Sequence, residues 1–159
     1  MHPPHRVAGE VIIVHQAFGK PMAQACIRGK RDSSITGIVS FYSQDCGTVV
    51  EADICGLPEG EGGFHGFHIH EGGNCRGEGF ANTLGHFNPS GVAHPLHAGD
   101  LPPLLNCQGR AYLAVYTDRF MPREVLGRTV VIHSQPDDFH TQPAGNAGEK
   151  IACGVIRKV

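Results

Sequence analysis

The 159-residue chain predicts an all-β domain, an antiparallel barrel or sandwich of seven or eight short strands with two long loops. Three observations carry this reading. Gly and Pro contribute 22 and 11 residues, too many turn formers for long helices. The β-branched and aromatic runs are short, and turn residues bound them. Two stretches, 72–105 and 135–148, show no periodicity, and loops of that length in a compact domain are functional or disordered.

In chain order, residues 1–6 read as a solvated tail in which His2 and His5 stand as candidate accessory ligands. Residues 10–15 make a plausible short strand, ended by Gly19-Lys20-Pro21. Further strands are expected at 23–28, 35–43 and 48–55. In the last of these, Val49, Glu51 and Asp53 alternate with Val50, Ala52 and Ile54, which gives one mixed and one apolar face. Residues 63–71 read as a single strand between glycine pairs. After the first long loop come strands at 111–117, 128–134 and 150–155, with a helical turn at 122–126.

The strand at 63–71 carries Phe64-His65-Gly66-Phe67-His68-Ile69-His70. Side chains alternate along a strand, so His68 and His70 share a face, about 7 Å apart at Cα, and can reach one ion. His65 points the other way with Phe67 and Ile69, as a buried, hydrogen-bonded imidazole.

The formal charge of −2 implies no strong attraction to nucleic acid or to a membrane surface. No apolar run approaches the roughly 20 residues of a membrane span. The first 25 residues lack a signal peptide's apolar core, because Val11-Ile12-Ile13-Val14 is too short. The chain as given therefore reads as cytoplasmic, or as secreted if a leader was removed.

Eleven His are present. The first long loop holds His86, His94, His97 and Asp100, and the strand at 128–134 holds His133. Zinc favours four tetrahedral N, S or O donors, which His94, His97, Asp100 and one more His satisfy. Four imidazoles suit copper. Together with His68 and His70 the set serves two four-coordinate ions only if one ligand is shared, and a deprotonated imidazole has a nitrogen for each.

Five motifs then share one order: Gly66-Phe67-His68-Ile69-His70-Glu71, Gly85-His86-Phe87-Asn88-Pro89, His97-Ala98-Gly99-Asp100-Leu101-Pro102, Gly127-Arg128-Thr129-Val130-Val131-Ile132-His133, and Gly145-Asn146-Ala147-Gly148 running into Ala152-Cys153-Gly154-Val155-Ile156. In these the chain resembles the copper–zinc superoxide dismutases, from about residue 23 to residue 156. The resemblance implies an eight-stranded antiparallel Greek-key β-barrel or sandwich. It divides the chain into an N-terminal extension, 1–22, with a candidate extra strand, and a dismutase-like domain, 23–159. It implies copper on His68, His70, His86 and His133, and zinc on His86, His94, His97 and Asp100. It further implies that Asp137 hydrogen-bonds one ligand of each ion, here His68 and His94. Cys75 and Cys153 match the family disulfide. Cys26, Cys46, Cys55 and Cys107 are then expected to be free and mostly buried.

The implied reaction is disproportionation of superoxide to dioxygen and hydrogen peroxide, with His86 cycling a proton. A homodimer is compatible with the resemblance. The chain departs from the family's pattern in two places. Only two residues separate His94 from His97, where the family has a longer insertion. Lys150 stands where the family has an active-site Arg. It keeps the charge, as a guide for the anionic substrate, but lacks the planar fork. These departures give a second reading, a copper-binding or storage protein of the same fold with little dismutase activity.

Overall fold

The computed structural model describes residues 18–159. The strands are β1 (Ala23–Gly29), β2 (Thr36–Gln44), β3 (Gly47–Cys55), β4 (Phe64–His65), β5 (Phe67–His70), β6 (Leu104–Leu105), β7 (Ala111–Thr117), β8 (Thr129–His133) and β9 (Lys150–Lys158). Seven form one curled antiparallel sheet in the order β5-β8-β9-β1-β2-β3-β7. Strands β1 to β3 are consecutive neighbours, and the chain then crosses from β3 at one side to β5 at the far edge. β4 pairs with β6 through Phe64–Leu105 and His65–Leu104. Because β4 leads into β5 and β6 leads into β7, this short pair ties the two edges of the sheet together. The result is an antiparallel barrel.

Alternation builds the core. Ala25 and Ile27 on β1, Val39 and Phe41 on β2, and Val50, Ala52 and Ile54 on β3 are fully buried, as are Phe67 and Ile69 on β5. Residues on the mixed face of β3 find polar partners. Glu51 accepts hydrogen bonds from the hydroxyls of Tyr42, at 2.7 Å, and Tyr112, at 2.8 Å. Asp53 takes both Nε and Nη2 of Arg110.

Two details differ from expectation. The strand expected at 63–71 is broken at Gly66, whose N–H donates to Gln135 O and whose carbonyl accepts from His133 N–H. That exchange fastens the break to the end of β8. The pairing of β4 with Leu104–Leu105 lay inside a stretch that the sequence presents as loop. The strand expected at 10–15 lies outside the described residues. The helical turn appears as a 3-10 turn at Pro122–Val125, and a second 3-10 turn at Glu78–Thr83 sits inside the first long loop.

A disulfide joins Cys75 in that loop to Cys153 in β9, 78 residues apart in sequence. Cys26, Cys46, Cys55 and Cys107 are free, but all four are exposed rather than buried. Cys26 and Cys55 lie at the outward parity of β1 and β3, opposite the core positions Ile27 and Ile54. Hydrophobicity alone suggested burial, and strand register overrules it. No helix among the described residues is long and apolar enough to cross a membrane.

Candidate metal centre

β5 supplies His68 and His70, and β8 supplies His133 from its last position. The antiparallel pairing of these strands brings His133 beside the other two. The first long loop folds back over β5. Its Gly99 carbonyl accepts from Ile69 N–H and its Phe87 N–H donates to Ile69 O. This backbone stitching sets His70 opposite His86, and His68 opposite Asp100, in single β-bridges. All four residues, with His94 and His97, converge beneath the loops.

Two groups of four donors result. Ligand atoms of His68, His70, His86 and His133 lie within 4.8 Å of one another, and so do those of His86, His94, His97 and Asp100. His86 belongs to both. Its Nδ1 lies 2.7 Å from Asp100 Oδ1 and 3.3 Å from His97 Nδ1. Its Nε2 is buried without a hydrogen-bond partner, on the other side of the ring.

The far nitrogens of four other rings are tied to protein acceptors. His68 Nε2 donates to Asp137 Oδ2 at 2.7 Å, and His94 Nε2 donates to Asp137 Oδ1 at 2.9 Å. One carboxylate thus orients one imidazole of each group. His70 Nδ1 donates to Leu84 O at 2.8 Å, and His133 Nδ1 to Gly148 O at 3.4 Å. Such partners fix the tautomer and leave the other nitrogen free to ligate. The inward atoms His68 Nδ1, His86 Nε2 and His94 Nδ1 are buried with no hydrogen bond. Leaving polar atoms like these unmatched is costly unless an ion completes them.

The spacing agrees with that account. Four donors at the ordinary Zn–N distance of about 2.0–2.1 Å sit about 3.3 Å apart along the edges of a tetrahedron. His97 Nδ1 lies 3.3 Å from both His86 Nδ1 and Asp100 Oδ2. His94 Nδ1 lies 3.1 Å from Asp100 Oδ2, close but without hydrogen-bond geometry. In the other group His70 Nε2 and His133 Nε2 are 3.3 Å apart. The residues fit two ions that share His86.

Protonation points the same way. Burial pushes His68 and His97 below the ordinary histidine value, and His70 well below it. Burial and the neighbouring His68 lower His133 to about 3. For Asp100 and Asp137 burial acts upward. Hydrogen bonds from His86 and from His68 respectively, with the surrounding imidazoles, outweigh it and hold both below the usual carboxylate range. Neutral imidazoles and an ionised carboxylate are the forms that bind metal.

Lys150 opens β9 beside this centre. Its Nζ donates to Thr83 Oγ1 at 2.8 Å and to Leu84 O at 3.0 Å, and burial lowers its pKa. His65 stays outside both groups, buried, with Nδ1 2.8 Å from His133 O and Nε2 3.0 Å from Pro58 O. Sequence reasoning did not single out Thr83, Leu84, Arg119 or Gln142, which hold the site through polar contacts of single residues. No motif marks them.

The chain matches a protein family described as "Copper/zinc superoxide dismutase (SODC)" over residues 35–156. It is 32% identical to "Superoxide dismutase [Cu-Zn] 2" of Aquifex aeolicus, an alignment covering 95% of this chain and 96% of the relative. It is 34% identical to "Superoxide dismutase [Cu-Zn]" of Deinococcus radiodurans, over 89% and 87% of the two chains. It is also 35% identical to "Superoxide dismutase [Cu-Zn] 3" of Arabidopsis thaliana, over 87% and 91%. With strands β2 to β8, most of β9 and both donor groups inside the matched span, the chain belongs to the copper/zinc superoxide dismutase family.

Proposed function

We propose that the chain dismutates superoxide, with copper on His68, His70, His86 and His133 and zinc on His86, His94, His97 and Asp100. The observation that carries this is His86. One of its ring nitrogens faces each donor group, and the copper-side atom, Nε2, is buried without a partner. When bound, copper supplies one-electron redox chemistry and zinc a fixed positive charge that does not itself change oxidation state.

The chain's own groups do the rest. In the balanced reaction two superoxide anions and two protons give one dioxygen and one hydrogen peroxide. His86 Nε2 is the atom placed to hold and release one of those protons, while Nδ1 stays with the Asp100 side. Asp137 keeps His68 and His94 in one tautomer, so protons do not wander onto the inward nitrogens. Lys150 places a positive charge beside the copper group and draws the small anion toward it.

Metal content and superoxide turnover measured on one purified, metal-loaded sample test this. One copper and one zinc per chain with turnover is expected. Both metals without turnover would favour the copper-holding reading.

A further inference from the structure

The short spacing of His94 and His97 gives the zinc loop little chain with which to fix its own ligands. The structure holds that turn from outside. Gln142, on the second long loop, pairs with the His94 peptide through both ends of its carboxamide. His94 N–H donates to Gln142 Oε1 at 2.9 Å, and Gln142 Nε2 donates to His94 O at 2.6 Å. A carboxamide has one donor end and one acceptor end, so it can act as a one-residue strand partner. Arg119, just beyond β7, donates from Nη1 to Pro95 O at 2.9 Å and to His97 O at 3.1 Å. Inside the turn, His97 N–H donates to Asp100 Oδ2 and Asp100 N–H to His97 O.

We propose that Gln142 and Arg119 are positioning residues for the zinc site, clamping the His94–His97 turn in place of a longer loop. The proposal rests on the zinc assignment above. Gln142 fixes the backbone of His94, and Asp137 fixes its ring through Nε2 at 2.9 Å. Both restraints come from the same irregular stretch, 135–148, so the orientation of His94 Nδ1 depends on that stretch being docked. Arg119 fixes the other end of the turn at the carbonyl of His97. The guanidinium suits this task, because it is always charged and rigid. Gln142 and Arg119 are both exposed residues, so replacing either opens no core cavity.

The test uses the full chain with Gln142→Ala, Arg119→Met and His97→Ala. Zinc affinity is read by chelator competition, copper affinity is read beside it, and the visible spectrum of Co²⁺ in the zinc site reports geometry. Loss of such outer partners costs about 10–100-fold in metal affinity. Gln142→Ala and Arg119→Met are expected to weaken zinc by that order, to change the tetrahedral Co²⁺ bands and to leave copper affinity unchanged. Arg119→Lys, which keeps a charged donor group without the planar fork, is expected to recover part of the loss. Zinc and copper weakening together would indicate general loosening and overturn the proposal. Zinc lost in His97→Ala but held at parental strength in Gln142→Ala and Arg119→Met would also overturn it. Zinc held at parental strength by His97→Ala would overturn the zinc assignment, and the proposal with it.

Discussion

Lys150 Nζ donates to Thr83 Oγ1 at 2.8 Å, and shares the Leu84 carbonyl, at 3.0 Å, with the Nδ1–H of His70. The hydroxyl of Thr83 spends its own proton on Phe80 O, at 2.8 Å, so its lone pairs face the lysine. A flexible ammonium is thereby held in one place, next to the acceptor of His70, a proposed copper ligand. Lys150→Glu is expected to lower kcat/KM by about an order of magnitude and to flatten or invert its fall with salt, which screens fields beyond about 10 Å at 0.1 M. Stopped-flow rates over a salt series check this, with copper content measured on each sample.

The same anchoring sets a limit on alkaline activity. Burial lowers the Lys150 pKa below its ordinary value of 10.5. An amine is charged below its pKa, so the guiding charge is lost as pH rises through that lowered value. The activity of the parent is therefore expected to decline before pH reaches 10.5. Lys150→Arg stays charged there and is expected to move the decline upward. A pH profile of kcat/KM for both proteins decides it.

Leu84 has φ 61° and ψ −151°, a region that is essentially reserved for glycine. Its side chain is 60% exposed, so little packing depends on it. Leu84→Gly relieves about 1–3 kcal/mol of strain at an entropic cost of about 0.5–1 kcal/mol. The carbonyl that serves His70 and Lys150 remains. A Tm higher by a few degrees, with activity retained, is expected from calorimetry and rate assay.

Gly145 has the reverse requirement. It has φ +69°, and a Cβ there would sit 2.1 Å from Asp137 Oδ1 and 2.7 Å from His94 Nε2. Gly145→Ala is expected to push Asp137 off His94 and weaken zinc binding by about 10–100-fold. Chelator competition measures the loss, and a parental zinc affinity would show that Asp137 does not act through His94.

The metal-free protein should lose stability toward acid. The folded pKa of His133 is lowered to about 3, against 6.5 ordinarily, and those of His68, His70 and His97 are lowered as well. A group whose folded pKa is depressed lends stability above its unfolded pKa, and this is lost as pH falls toward the folded value. The Tm of metal-free protein should drop steadily from pH 6.5 toward pH 3, as read by circular dichroism.

Most of the centre was legible in the sequence because ligation needs particular side chains. His68 and His70 follow from strand parity, and His86, His94, His97, Asp100 and His133 from residue type and order. The strands around them were legible as short runs between turn residues, and β3 also because Val50, Ala52 and Ile54 alternate with the mixed set Val49, Glu51 and Asp53. Three features were not. Leu104–Leu105 pairs with Phe64–His65 over two residues, too short to print a period. Gln142 and Arg119 act through a backbone that any sequence would supply. The free cysteines were misplaced because their residue type argued for burial, whereas the alternation set by Ile27 and Ile54 turns Cys26 and Cys55 outward.

The loop that carries His86 and Asp100 also lies along the outer edge of β5, where Gly99, Phe87 and Gly85 exchange backbone hydrogen bonds with Ile69 and Glu71. An uncovered edge strand presents a row of unpaired N–H and C=O groups, a template for pairing with another chain. Here the ligand loop is also the guard on that edge. Whatever holds the loop down, the Cys75–Cys153 bond and the Asp137 carboxylate included, therefore also keeps that edge covered.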